Sequence, residues 1–191
     1  MTKTFWWLPI LALAGTFGVA QPAFAGFNSA YTDINLDQCL VLNADDFGAS
    51  WACPGYKGYP LQISEGDLRF VISYGFNIDD EPGRSQSLGP FNHLGAKLEW
   101  RLSNASGGWL PVATIVRYFT QNQETYEETN EVLVVTQLLE GQTCHIAYID
   151  ALANPNANEL ARQAADKAGK FDCVNDKVDI IGKFTAWDAR D

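Results

Sequence analysis

The sequence predicts a mainly β protein, an antiparallel sandwich or a partly open barrel, with one helix in its C-terminal half packed against it. Three observations carry that expectation. Short runs rich in Val, Ile, Leu and aromatic residues alternate with clusters of Gly, Pro, Asn and Asp, enough for eight to ten strands. Beyond the N-terminal apolar run, one segment (residues 156–168) shows the 3.6-residue periodicity of a helix. Four cysteines lie along the rest of the chain, an even number that suits disulfide ties.

In chain order, residues 26–36 read as a leading arm anchored by Phe27 and Tyr31. Residues 39–42 and 50–53 are short apolar runs separated by the turn-forming Asn43-Ala44-Asp45-Asp46-Phe47-Gly48. Residues 59–63 and 69–76 form the next pair, joined by Ser64-Glu65-Gly66-Asp67 as a hairpin turn, with the apolar Phe70, Val71, Ile72, Tyr74 and Phe76 mostly alternating along the second run. Residues 77–92 make the longest polar interruption, long enough to be a functional loop. Strand-like segments follow at 97–102, 109–120, 131–139 and 143–150, and residues 178–187 read as a closing strand. No repeat and no low-complexity tract is visible.

The helix rests on local rules. Leu160, Ala161, Ala164, Ala165 and Ala168 share one face, opposite Arg162, Gln163, Asp166 and Lys167. Asn156 and Glu159 stand at capping-box spacing, and Gly169 can supply a left-handed C-terminal residue. A helix of about 18 Å is too short to be stable alone, so its small-residue face must dock on a sheet.

Residues 1–25 read as a Sec signal peptide: Lys3 gives the positive start, residues 5–20 the uncharged apolar run, and Ala23-Phe24-Ala25 the cleavage site. The mature chain, residues 26–191, is then expected to be one disulfide-tied β-rich domain in the periplasm or secreted, with no membrane anchor after cleavage. An oxidising compartment favours two disulfides, and Cys39–Cys53 with Cys144–Cys173 is the pairing in which each bridge bounds a local unit. Removing Lys3 from 13 basic and 23 acidic residues leaves 12 against 23, a net charge of −11. That balance argues against nucleic acid and anionic lipid and suits a basic periplasmic or extracellular protein partner.

The familiar catalytic and cofactor motifs are missing: no G-x-S-x-G, no H-E-x-x-H, no phosphate loop and no G-x-G-x-x-G. No cofactor and no metal site is expected. Asp33-x-Asn35-x-Asp37 opens like a calcium loop, but Gln38 and Ala44 stand where that loop needs Gly and Glu. The catalytic candidates are His93, which follows the long loop, and His145, with Asp150 to orient it. The binding candidates are acidic: Asp79, Asp80 and Glu81 in the long loop, and Glu127 and Glu128 in the polar segment 121–130. The four tryptophans of the mature chain, Trp51, Trp100, Trp109 and Trp187, are assigned to the core before any binding platform.

Trp51-Ala52-Cys53-Pro54-Gly55, Glu65-Gly66-Asp67-Leu68-Arg69, Cys144-His145-Ile146-Ala147-Tyr148-Ile149-Asp150 and Asn158-Glu159-Leu160-Ala161-Arg162 resemble a family of uncharacterised exported proteins from Gram-negative bacteria. The resemblance covers most of the mature chain and implies a periplasmic location and no activity. The small, acidic, disulfide-tied β architecture is also broadly similar in class to periplasmic inhibitors of lysozyme, whose targets are basic. The sequence thus favours a non-enzymatic binding protein of the cell envelope. An envelope hydrolase with a His/carboxylate site and a structural or stress-related envelope protein are the alternatives.

Overall fold

A computed structural model describes residues 1, 2, 26–121, 125 and 127–187, apart from the side chains of Glu128 and Thr129. Residues 3–25, where the signal peptide is expected, lie outside the described residues. The strands are β1 (Phe27–Asp33), β2 (Leu40–Asp45), β3 (Gly48–Pro54), β4 (Pro60–Gly66), β5 (Arg69–Tyr74), β6 (Asn92–Ser103), β7 (Leu110–Gln121), β8 (Glu128–Gln137), β9 (Cys144–Asp150) and β10 (Asp179–Ile180). The helix α1 spans Ala157–Ala165.

Two sheets form. One has six strands in the order β1-β6-β7-β8-β9-β10, and the other four in the order β2-β3-β4-β5. All pairings are antiparallel except the short ladder of β10 with β9. Strand alternation sends two apolar sets to opposite faces of the larger sheet. Leu98, Trp100 and Leu102 of β6, Val116 and Tyr118 of β7, and Val132 and Val134 of β8 pack on Leu61, Ile63, Ile72 and Tyr74 of the smaller sheet. Their neighbours Ala113, Ile115, Leu133 and Val135 face the other way, onto Ala157, Ala161, Ala164, Ala165 and Ala168. The result is three layers, small sheet, large sheet and helix, with neither sheet closed into a barrel.

Four local expectations change. The leading arm is a full edge strand, β1, paired along its length with β6. Its weak alternation hid it: besides the ladder, Ala30 packs on the core, while Ser29 donates to Glu99 and Tyr31 and Thr32 accept from Arg162 and Trp100. The helix starts at the expected place without the capping box: the Asn156 side chain makes no cap, and its carbonyl takes the amide of Leu160 instead. It ends at Ala165, and Gly169 sits in a separate 3-10 turn, Ala168–Lys170, where no left-handed residue is needed. The closing strand shrinks to Asp179–Ile180.

What holds the rest of that C-terminal segment is side-chain chemistry. Thr185 donates from N and Oγ1 to Asp150 Oδ2, both at 2.9 Å, and Asn154 bridges the carbonyls of Asp150 and Lys183. The long polar loop is equally structural. Ser87 Oγ donates to the Phe70 carbonyl at 2.6 Å, Asn92 Oδ1 accepts the Phe70 amide at 3.0 Å, and Ser73 Oγ donates to the Arg84 carbonyl at 2.6 Å. The first two bonds satisfy the Phe70 amide and carbonyl on the outer edge of β5, and the third ties the loop alongside that edge, which would otherwise invite another strand.

Both disulfides pair as expected, Cys39–Cys53 across β2 and β3, and Cys144–Cys173 from β9 to the segment after the helix. They place the chain in an oxidising, extracytoplasmic compartment. Among the described residues no helix is long and apolar enough to cross a membrane.

Candidate functional site

The β2–β3 and β4–β5 hairpins end side by side, because Gly48 pairs with Gly66 at the last rung of the β3–β4 ladder. The approach is tight: a Cβ at Gly48 would lie 2.2 Å from the Glu65 carbonyl oxygen, so only glycine fits there. The tips carry Asp45-Asp46-Phe47 and Glu65-Gly66-Asp67-Leu68, four carboxylates and two large apolar side chains. Phe47 is 90% exposed and Leu68 55% exposed.

Each tip is held in shape. Asp45 Oδ1 accepts the Phe47 amide at 2.8 Å, and this bond, with one from Asn43, holds the Asp45 carboxyl below its usual range. In the second tip Asp67 and Leu68 have φ of 51° and 59°. Two successive left-handed residues make a tight hairpin turn that ordinarily calls for Asn-Gly. Leucine there is strained, and more than half of it stays in solvent. Around it, Glu65 Oε1 accepts the Leu68 amide at 3.2 Å and the Leu68 carbonyl accepts the Asn92 amide at 2.9 Å. Arg69 donates to the Gly89 carbonyl at 2.9 Å and to the Asp67 carbonyl at 3.0 Å, with its guanidinium 4.8 Å over the Phe91 ring. The tip is therefore a preorganised projection. What it offers chemically is two apolar side chains among four carboxylates, of which Asp67 is ion-paired with Arg69.

The residues singled out from sequence are scattered. His145 is buried, bonds Tyr148 Oη through Nδ1 at 2.9 Å, and burial pushes its pKa down to about 4. Asp150 is buried too, and its two oxygens take four bonds, from the amides of Leu152, Ala153 and Thr185 and the Thr185 hydroxyl. Burial works to raise the Asp150 pKa, and those bonds outweigh it and hold it low. The two residues are thus committed to different partners and form no acid–base pair. His93 is half-buried, with its ring stacked 4.9 Å from that of Phe119.

Among the acidic candidates, Glu81 is buried and accepts the amides of Gly141 and Thr143 at 3.0 and 2.8 Å, which pins the β8–β9 connection. Asp79 and Asp80 are exposed, and Asp79 lies 3.2 Å from Arg84. Glu127 is exposed, and the Glu128 side chain lies outside the described residues. Trp100 is fully buried, with Nε1 bonded to Thr32 Oγ1, while Trp109 is partly exposed. Asp33 pairs with Lys97, and Asn35 accepts the Asp37 amide, so the calcium-like spacing serves local structure. Among the described residues no three His, Cys, Asp or Glu side chains gather as a metal ion would require.

Phe47 and Leu68 were not singled out in the sequence. The signal was present as a large apolar residue at each of two turns where Gly, Asn or Asp is the norm. No protein-family model matches the chain, and neither a curated protein nor a solved structure matches it significantly, so the site is read from its geometry.

Proposed function

We propose that the chain is a non-enzymatic interaction protein of the bacterial cell envelope, exported by residues 1–25 to the periplasm or beyond, that captures a basic protein partner on the paired hairpin tips. The observation that carries the proposal is Leu68. A leucine held in a left-handed conformation with more than half of it in solvent costs backbone strain that its partial burial offsets little, a pattern found where a side chain serves recognition. Phe47 beside it and the acids Asp45, Asp46, Glu65 and Asp67 around it supply an apolar anchor and charge complementarity. The net charge of −11 on the mature chain, 12 basic against 23 acidic residues, acts in the same direction at long range.

The test is binding of the mature, oxidised chain to an immobilised lysozyme and to a second, unrelated basic protein at low and moderate salt. Capture of either should weaken as salt rises. Phe47→Ala and Leu68→Gly should each weaken it by roughly tenfold or more. Leu68→Gly should at the same time leave the fold as stable as before or about 1 kcal/mol more stable, since it removes backbone strain. Binding that ignores both substitutions, or that Asp79→Asn and Asp80→Asn abolish instead, would move the site away from the tips.

A further inference from the structure

The β2 strand is the least explained element of the fold. All six of its residues are exposed, and it carries three successive apolar side chains, Leu40 at 69%, Val41 at 56% and Leu42 at 51% exposure. Among the described residues none of its side chains joins a buried cluster; it is held by the ladder to β3 and by the Cys39–Cys53 bridge at its start. It is also the outermost strand of its sheet, so one row of its backbone N–H and C=O groups has no strand beside it. On the opposite edge of the same sheet, β5, the Phe70 amide and carbonyl are taken by Asn92 and Ser87, and the Ser73 hydroxyl bonds the Arg84 carbonyl of the loop beside it. Among the described residues no side-chain hydrogen bond covers the edge of β2 in the same way.

From this we infer that β2 receives an extended segment of the basic partner as an added strand, continuing the four-stranded sheet. The inference rests on the proposed capture of a basic protein and specifies how its chain is held. Main-chain bonds to an edge strand give affinity and side chains give selectivity. Here the side chains define the partner's chemistry. Leu40, Val41 and Leu42 want apolar contacts, and Asp37 before β2 with Asp45 and Asp46 at its end want basic residues at both ends of the added strand. The same acids reject a second copy of this chain. Antiparallel pairing of two β2 strands would set Asp45 and Asp46 of each copy beside Asp37 of the other, with like charges at both ends of the seam. The edge also holds a bulge, since Leu42 is the extra residue between the pairs Val41–Trp51 and Asn43–Ser50. A bulge adds twist, which admits one short strand and discourages open-ended stacking.

The experiment follows amide hydrogen exchange across residues 40–45 of the mature, oxidised chain by NMR, with the capped peptide KVTVTVK as probe. Three comparisons accompany it: the same peptide N-methylated at alternate residues, the acidic-flanked EVTVTVE, and the chain variant Val41→Lys, an exposed site where the fold is kept. The inference expects KVTVTVK to slow exchange along β2 severalfold, the N-methylated peptide to have no effect, EVTVTVE to bind roughly tenfold more weakly, and Val41→Lys to abolish the protection. Exchange unchanged at saturating peptide overturns it, as does equal binding of the N-methylated peptide, which would mean side-chain docking. Protection that grows with protein concentration and needs no peptide also overturns it, because the edge would then belong to a second copy. Phe47→Ala and Leu68→Gly separate the two proposals. If they abolish capture of the basic protein while that protein leaves β2 unprotected, the tips stand and strand addition falls. If peptide protection of β2 survives while capture ignores both substitutions, strand addition stands and the tips fall.

Discussion

His145 is an uncharged imidazole at neutral pH, and that state is part of what keeps the larger sheet packed. Its pKa falls from 6.5 to about 4 because burial disfavours the cation. The unfolded chain binds a proton near pH 6.5 while the folded chain resists until about pH 4. The stability associated with the neutral ring is therefore fully present above about 6.5, declines between the two values, and is lost below about 4, a difference of about 3 kcal/mol. Denaturant unfolding followed across that range should show the decline, and His145→Gln should flatten it. An equally steep decline in the variant would assign the pH dependence to other groups. Asp150 belongs to a separate window, because a carboxyl held below 3.8 loses its contribution only in stronger acid. The sequence names neither residue's partner: five positions apart on one strand, the histidine and the aspartate would fall on opposite faces by regular alternation, and their bonds to Tyr148 and Thr185 are tertiary facts.

Elements differ in how far sequence reaches them. The alanine face of α1 was readable because helix periodicity needs no tertiary information, and Ala161 and Ala165 are indeed fully buried on the central sheet. What periodicity could not show is the flank. Arg162 reaches Glu99 at 2.7 Å, and Asp166 accepts from Arg101, so the nominally polar face is also tied to the sheet. The close fit makes α1 intolerant of bulk: Ala165→Leu should destabilise the fold by about 1–3 kcal/mol, whereas Lys167→Ala on the exposed side should stay within about 0.5 kcal/mol. Matching urea midpoints for the two variants would show that the helix lies loosely. The hairpin tips were legible only as turns. Phe47 and Leu68 become a site through the Gly48–Gly66 pairing, and that register is a long-range fact no local window contains.

At the scale of the whole molecule the two disulfides guard regions of unequal stability. Cys144–Cys173 closes a loop of sequence separation 29 that contains α1 and roots it in β9, a strand buried in the central sheet. Opening that loop cannot be relieved without losing the helix layer, so Cys144→Ser with Cys173→Ser should cost the full loop-closure term, roughly 3 to 4 kcal/mol. Cys39–Cys53, of separation 14, would be worth roughly 3 kcal/mol by the same model if the native fold stayed intact without it. It need not stay intact. β2 buries none of its six residues, so the folded chain can regain most of that entropy by letting β2 fray, and the global loss is capped by the small cost of fraying. The expected result for Cys39→Ser with Cys53→Ser is a global loss of only about 1 kcal/mol, with amide exchange along residues 40–45 rising to near the unprotected rate and the central sheet unchanged. Equal losses for the two double variants would mean that β2 is integral to the cooperative unit. The expected inequality would mean that the Cys39–Cys53 bridge serves chiefly to keep one exposed edge ordered.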